Sequence, residues 1–187
     1  DSFLKAEELS VDNINIKINI GRILLKLSKN DEAIEKFLEA KNIDKNNFHP
    51  LFFLSNIFFN RTQYEEALNY LEKANDIQQN NIEVLEMIGL SNLHLQRFSV
   101  AEKIYENLIS LKPNISGFYH NLGSALFHQS KYIEALSNYS KALSINPSFD
   151  TRSCINETLK ASNLRSKDIS EYIEIYNSTL SKSIIFR

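Results

Sequence analysis

The stretch Ser116–Phe149 reads SGFYHNLGSALFHQSKYIEALSNYSKALSINPSF and contains two amphipathic segments followed by a proline. In the first segment, four residues share one helix face through the spacing i, i+3, i+4 and i+7: Tyr119, Leu122, Gly123 and Leu126. In the second segment, three residues share a face through the spacing i, i+4 and i+7: Ala135, Tyr139 and Ala142. Pro147 then ends the pattern, so the stretch predicts two short helices joined by a turn.

The same pattern recurs three more times toward the N-terminus without an insertion, in the units 82–115, 48–81 and 14–47. An alanine lies at the same place in every second helix: Ala33, Ala67, Ala101 and Ala135. A small residue lies at the same place in every first helix: Gly21, Ser55, Gly89 and Gly123. Because antiparallel helices approach closely only where small side chains meet, these two rows predict equivalent helix pairs that stack on one another.

The combination of an aromatic residue, a Leu-Gly pair, a crossing alanine and a closing proline resembles the tetratricopeptide repeat, or TPR. The resemblance implies an all-α fold, namely a right-handed α-solenoid of helix-turn-helix repeats (an α–α superhelix). The repeats are then TPR 1 over 14–47, TPR 2 over 48–81, TPR 3 over 82–115 and TPR 4 over 116–149.

Both ends of the chain carry partial versions of the pattern. Residues 1–13 are expected to be the end of a preceding repeat, as if the chain were cut from a longer array. Residues 150–187 are expected to be a degenerate C-terminal capping helix pair, because a solenoid needs a polar-faced terminal unit. Its helices are predicted over 150–161, where Asn156 and Glu157 replace the Leu-Gly pair, and over 166–181.

Composition narrows the classes of function. The chain has 187 residues, 43% of them hydrophobic and 24% charged, which is typical of a globular protein. A net charge of −2 favours neither a nucleic-acid partner nor an anionic membrane, and no apolar run is long enough for membrane insertion. The single cysteine, Cys154, fits a reducing compartment, so a cytoplasmic location is expected.

The resemblance also implies a peptide-binding groove on the concave side of the solenoid, which positions 2, 5, 9 and 12 of each repeat usually face. At about 100° per residue, these positions form a stripe distinct from the packing stripe. The candidate peptide-binding residues are Arg22, Phe52, Asn56, Phe59, Glu86, Leu90, His120, Asn121, Ser124 and Phe127. An aromatic floor with scattered polar groups suits an extended or helical peptide better than a small charged metabolite. The alternative is that Phe52, Phe59 and Phe127 pack between repeats.

Two TPR subtypes can be compared with these residues. Chaperone-binding TPRs grip a C-terminal carboxylate with cations in their third repeat, where this chain has Glu83 and Glu86; their like charge argues against that clamp. The TPR arm of O-linked N-acetylglucosaminyltransferase-like enzymes carries an asparagine ladder at position 6. Asn19 and Asn121 match this ladder, whereas Phe53 and Met87 interrupt it.

No catalytic constellation is apparent in the sequence. His94 and His128 occupy equivalent positions of adjacent first helices, but two imidazoles without a third ligand make a poor zinc site, and no cofactor motif is present. The sequence therefore predicts a non-enzymatic protein–protein interaction module, a scaffold or adaptor that binds a protein or peptide partner. The alternatives are a substrate-recruiting or regulatory arm of a larger bacterial-type glycosyltransferase or sulfotransferase, whose catalytic domain lies outside this chain, and homo-oligomerisation through the solenoid ends.

Overall fold

The computed structural model describes residues 13–162 and residues 170, 172 and 174. In this part of the chain there are nine α-helices and no strands. The first helices of the repeats are α1 (Ile14–Lys26), α3 (Phe48–Asn60), α5 (Ile82–His94) and α7 (Ser116–His128). The second helices are α2 (Asn30–Ile43), α4 (Tyr64–Ile77), α6 (Phe98–Leu111) and α8 (Tyr132–Ile145), and α9 (Phe149–Ser162) follows.

The structure describes only part of the segments predicted at the two ends of the chain. The helix expected over 150–161 corresponds to α9. The partial repeat expected at 1–13 lies, apart from Asn13, outside the described residues, and so does most of the helix expected over 166–181.

The chain divides into two compact units, Asp1–Ser91 and Asn92–Arg187, with the division inside α5. In the first unit α1 packs on α2, α3 packs on α4, and α2 packs on α3. In the second unit α7 packs on α6 and α8, and α9 packs on α8. Within each unit these helices therefore contact mainly their neighbours along the chain, as in a repeat protein.

Asparagine side chains cap the N-termini of three of the first helices, and the three asparagines occupy the same repeat position. Asn13 Oδ1 accepts hydrogen bonds from the backbone N–H groups of Asn15 and Ile16, and it caps α1. Asn47 Oδ1 accepts from His49 N at the start of α3, and Asn81 Oδ1 accepts from Glu83 N and Val84 N at the start of α5. Such caps satisfy backbone donors that the first turn leaves without partners. The equivalent residue before α7 is Ile115, which makes no side-chain cap.

The turn between the two helices of a repeat is a Schellman motif. In TPR 1 the backbone N–H of Lys29 donates to Leu24 O at 2.9 Å, and that of Ser28 donates to Leu25 O at 3.0 Å. Four residues at the equivalent position have φ between 57° and 61°: Ser28, Thr62, Gln96 and Ser130. These residues adopt the left-handed conformation without being glycine, so every intra-repeat turn holds some backbone strain.

The core lies where the predicted small residues meet. The crossing alanines Ala33, Ala67, Ala101 and Ala135 are all 0% exposed. In TPR 1, a Cβ added to Gly21 would lie 2.6 Å from Cε1 of Phe37, which is closer than carbon atoms approach. The expectation of small residues at the helix crossings is therefore confirmed. In the first repeat the reason is an aromatic ring from the second helix that lies against the glycine.

Candidate functional site

A cavity of about 400 Å³ lies between α1 and α3 in the first unit, and we call it the α1/α3 cavity. Its lining residues are Asn15, Ile18, Asn19, Arg22, His49 and Phe53. Four of them occupy the predicted groove positions 2, 5 or 9, and two occupy position 6. Of the ten candidate peptide-binding residues, only Arg22 lines the α1/α3 cavity.

The floor of the α1/α3 cavity is apolar and anchored to the core. Ile18 is 7% exposed and belongs to the core cluster that includes Ala33 and Phe37. Phe53 stacks on Phe37 with ring centroids 5.0 Å apart and an interplanar angle of 17°. Because Phe37 is fully buried, this stack holds Phe53 in place from below.

The rim of the cavity is polar. Arg22 is exposed, and its guanidinium carbon lies 6.0 Å from the centroid of the Phe53 ring, within cation–π range. Its Nη1 donates to Asn19 Oδ1 at 3.5 Å. Among the residues that the structure describes, Arg22 forms no ion pair with a carboxylate. The α1/α3 cavity therefore combines an apolar floor with hydrogen-bond donors and one unneutralised positive charge.

Three further candidates, Phe52, Asn56 and Phe59, lie on α3 and are half-buried. Phe52 stacks on Phe48 of the same helix with centroids 5.4 Å apart. Asn56 Nδ2 donates to Phe52 O at 3.0 Å, so part of its amide is held by its own helix. Phe59 meets Tyr64 edge to face with centroids 5.4 Å apart. None of these three side chains lines the α1/α3 cavity, and none is fully buried.

Glu86 and Leu90 lie on α5 and are also half-buried. Burial raises the pKa of the Glu86 carboxyl above its usual value, and the neighbouring charge of Glu83 raises it further. The environment of Glu86 is therefore unfavourable to a negative charge. In contrast, α1 has the exposed cation Arg22 at a groove position and contains no acidic residue.

The four candidates in the second unit lie on α7, and His120 and Asn121 hydrogen-bond residues of other helices. His120 Nδ1 and Thr151 Oγ1 of α9 share a hydrogen bond of 2.9 Å. Burial lowers the pKa of His120, and the charge of Asp150 opposes this effect. Asn121 Nδ2 donates to the hydroxyl of the buried Tyr105 at 3.1 Å, so its amide already serves packing on α6.

Two smaller cavities lie between α7 and the chain that follows it, in α8, α9 and the segment that joins them. One of about 240 Å³ is lined by Ser116, Gly117, His120, Asn146, Ser148, Asp150 and Thr151. The other, of about 140 Å³, is lined by Ser124, Phe127, His128, Tyr139, Cys154 and Glu157. Burial raises the pKa of the Cys154 thiol, although its hydrogen bond with Tyr139 acts in the opposite direction, so this cysteine is not an activated nucleophile.

Sequence reasoning missed three contributions to these surfaces. The sequence pattern indicates Phe53 only as an interruption of an asparagine ladder, yet Phe53 is part of the floor of the α1/α3 cavity. Cys154 and Glu157 belong to the degenerate helix α9, and they line a cavity together with α7. The available signal was the following helix pair, because α1 lines a cavity with α3, and α7 lines one with α9.

In the described part of the chain, no three His, Cys, Asp or Glu side chains are grouped closely enough to hold a metal ion. None of the helices described has both the length and the apolar character that a bilayer crossing requires.

Comparison with known proteins identifies three of the four predicted repeats. Family models for the tetratricopeptide repeat match residues 14–47, 49–81 and 118–149. No curated protein matches the chain.

Solved structures with a similar fold include YrrB, described as a TPR protein with an unusual peptide-binding site. It has a TM-score of 0.81 and 20% identity over 96% of this chain and 92% of its own. A MamA structure has the same TM-score and identity over 93% and 95% of the two chains. MamA of Desulfovibrio magneticus RS-1, from residue 41 to its end, has a TM-score of 0.78 and 17% identity over 90% and 93%.

Proposed function

Because the chain belongs to the tetratricopeptide repeat family, we propose that it is a non-enzymatic interaction module that binds a peptide or protein segment. The segment lies on the first helices of the repeats, where positions 2, 5, 9 and 12 are found. The observation that carries this proposal is the α1/α3 cavity of about 400 Å³, which two successive first helices line together.

The dimensions of this cavity support a peptide ligand. Asn15 and Arg22 lie seven residues apart on α1, a rise of roughly 10 Å at 1.5 Å per residue. An extended chain covers that length with about three residues at ~3.3 Å each. Side-chain amides such as those of Asn15 and Asn19 can both donate to and accept from a peptide backbone, while the floor accepts an apolar side chain.

The fold comparison supports the same proposal. YrrB has this fold and is described as having a peptide-binding site. The proposal also holds if this chain is the recruiting arm of a larger glycosyltransferase or sulfotransferase, since such an arm would use the same face to hold a substrate protein.

A selection experiment tests the proposal. The chain would be immobilised and screened with a phage-displayed library of random linear peptides, and a recovered peptide would be synthesised with a fluorophore. Fluorescence anisotropy should then show weaker binding by Phe53→Ala and by the groove variants Phe52→Ala, Asn56→Ala and Phe127→Ala. The matched control is Ile133→Ala, because Ile133 is 47% exposed on the second helix α8.

Circular dichroism of each variant separates loss of binding from loss of structure. If the groove variants bind as well as the wild-type chain does, or if they lose affinity only because they unfold, the groove assignment is wrong. Light scattering on the isolated chain tests the remaining candidate, self-association through the ends of the repeat array.

A further inference from the structure

Charge is distributed unequally between the first and second helices of TPR 1 and TPR 2. The first helices α1 and α3 contain no Asp or Glu, and their basic residues are Lys17, Arg22 and Lys26. The second helices α2 and α4 contain eight acidic residues: Asp31, Glu32, Glu35, Glu39, Glu65, Glu66, Glu72 and Asp76. They contain only three lysines: Lys36, Lys41 and Lys73. Positive charge therefore collects on α1, and α3 adds no negative charge, in a chain whose net charge is −2.

Four of the nine Lys and Arg residues described in the first unit pair with a carboxylate. Lys17 and Lys36 pair with Glu39 at 2.6 Å and 3.2 Å. Lys29 pairs with Glu32, and Arg61 pairs with Asp31 at 2.8 Å. Arg22 differs from these residues, because it lines the α1/α3 cavity and meets no carboxylate among the described residues.

The guanidinium of Arg22 is also positioned. The Phe53 ring lies beneath it, and Asn19 Oδ1 accepts from its Nη1. A guanidinium oriented in this way can offer its remaining N–H groups to a carboxylate in a bidentate pair. Ile18 and Phe53 lie beside it and give the cavity an apolar floor.

We infer that the α1/α3 cavity recognises an acidic side chain, Asp or Glu, within a partner segment, together with an adjacent apolar residue. Arg22 binds the carboxylate, and Ile18 with Phe53 contacts the apolar side chain. This inference rests on the proposed function and adds the charge class of the partner. The acidic residue is an internal one. Lys26 lies one turn beyond Arg22 on α1, so positive charge continues past Arg22 and the bound segment can extend along α1.

The sign of the charge reverses on α5. Glu83 and Glu86 lie at predicted groove positions of TPR 3, and the pKa of Glu86 is already raised by burial and by Glu83. Another carboxylate beside Glu86 would be repelled. The preference for an acidic residue therefore belongs to α1 and α3 and does not extend over the whole row of first helices.

Two peptide libraries test the inference. In one, random peptides are displayed between fixed flanking sequences; in the other, they end in a free C-terminus. The wild-type chain should enrich Asp or Glu next to Leu, Ile or Phe in the flanked library. A representative binder, acetylated and amidated at its ends, should lose about tenfold in affinity when its acidic residue becomes the corresponding amide.

Variants of the chain locate the effect. Arg22→Gln should weaken the acidic peptide about tenfold and should no longer distinguish it from its amide counterpart, while Arg22→Lys should restore part of the difference. Lys45→Gln is the matched control, because Lys45 is an exposed cation in the loop between α2 and α3. Glu86→Gln should bind the acidic peptide at least as well as wild type does. Added salt should reduce the affinity of the acidic peptide alone.

The outcomes separate the inference from the proposed function. Binders without acidic enrichment, or acidic binders that Arg22→Gln binds equally well, would overturn the inference and leave the binding function in place. Enrichment confined to free C-termini would overturn the choice of an internal acidic residue. Recovery of no peptide from either library would contradict the proposed function itself.

Discussion

Gly123 of α7 lies directly against the ring of Tyr139 of α8, and a Cβ at Gly123 would be 2.7 Å from Cε1 of that ring. The first repeat has the same relationship between Gly21 and Phe37, at 2.6 Å. The second repeat has Ser55 at the glycine position, and the residue at the ring position is Leu71. The small residue and the ring are therefore one packing unit, in which a larger residue on one helix requires a smaller one on the other.

We expect Gly123→Ala to destabilise the chain by about 1–3 kcal/mol, because the added methyl group must displace a fully packed ring. Urea unfolding followed by circular dichroism measures the change. Gly117→Ala is the matched control in the same helix, since a Cβ there meets nothing within 4 Å. That change should be neutral or stabilising by up to about 1 kcal/mol.

The same pairing predicts compensation between the two helices. Tyr139→Leu alone should destabilise the chain, but the double variant Gly123→Ala with Tyr139→Leu should be more stable than the sum of the two single changes predicts. Strict additivity of the two free energies would show that the ring contact does not explain the glycine.

The left-handed turn residue Thr62 is expected to be a site of stabilisation. Its φ is 60°, a conformation that costs L-residues roughly 1–2 kcal/mol. Glycine adopts this conformation freely but adds entropy to the unfolded chain, so Thr62→Gly should stabilise by about 0.5–1 kcal/mol. Thermal and urea unfolding would detect this gain. Thr62→Ala, which keeps a Cβ, should yield much less, and an equal gain from both variants would contradict the explanation by strain.

A missing helix cap predicts a second stabilising change. Ile115 precedes α7 with φ −106° and ψ 109°, the extended geometry of a capping residue, but it has no side-chain acceptor. Ile115→Asn should supply the cap that Asn47 provides for α3 and should stabilise by about 1 kcal/mol. The converse variant Asn47→Ala should destabilise by a similar amount. If Ile115→Asn leaves the free energy of unfolding unchanged, the asparagine does not cap α7.

Stability is expected to decrease in acid partly through Glu39. Burial raises the pKa of this carboxyl, but hydrogen bonds from Lys17 and Lys36 outweigh that effect and hold the pKa below its usual value of 4.5. Since the folded pKa lies below the unfolded one, the stabilisation is fully present above the unfolded pKa and is lost as pH falls through the folded pKa.

Urea unfolding between neutral pH and a pH below 4.5 measures this dependence. Glu39→Gln should be less stable than wild type at neutral pH and should lose less stability in acid. Glu35→Gln is the control, because Glu35 is exposed on the same helix. Parallel pH profiles for wild type and Glu39→Gln would show that this carboxylate is not responsible.

Much of the fold could be predicted because its determinants are local. The rows of alanine and glycine recur at a fixed spacing, and a spacing within one helix determines which residues share a face. The crossing alanines, from Ala33 to Ala135, are buried as predicted. The shared turn with positive φ was not predicted, because Ser28, Thr62, Gln96 and Ser130 are not the glycines that normally mark such a turn.

The candidate site could be predicted less well, because it depends on how helices of different repeats approach each other. The sequence by itself determined the helical repeat, its register and the stripe of residues that contains Arg22. Only the tertiary structure decided that Phe53 forms part of a cavity floor with Arg22 above it, and that Asn121 donates to Tyr105. The physical reason is that a periodic pattern encodes the direction of a side chain on its own helix, whereas a cavity or a hydrogen bond depends on the distance between two helices.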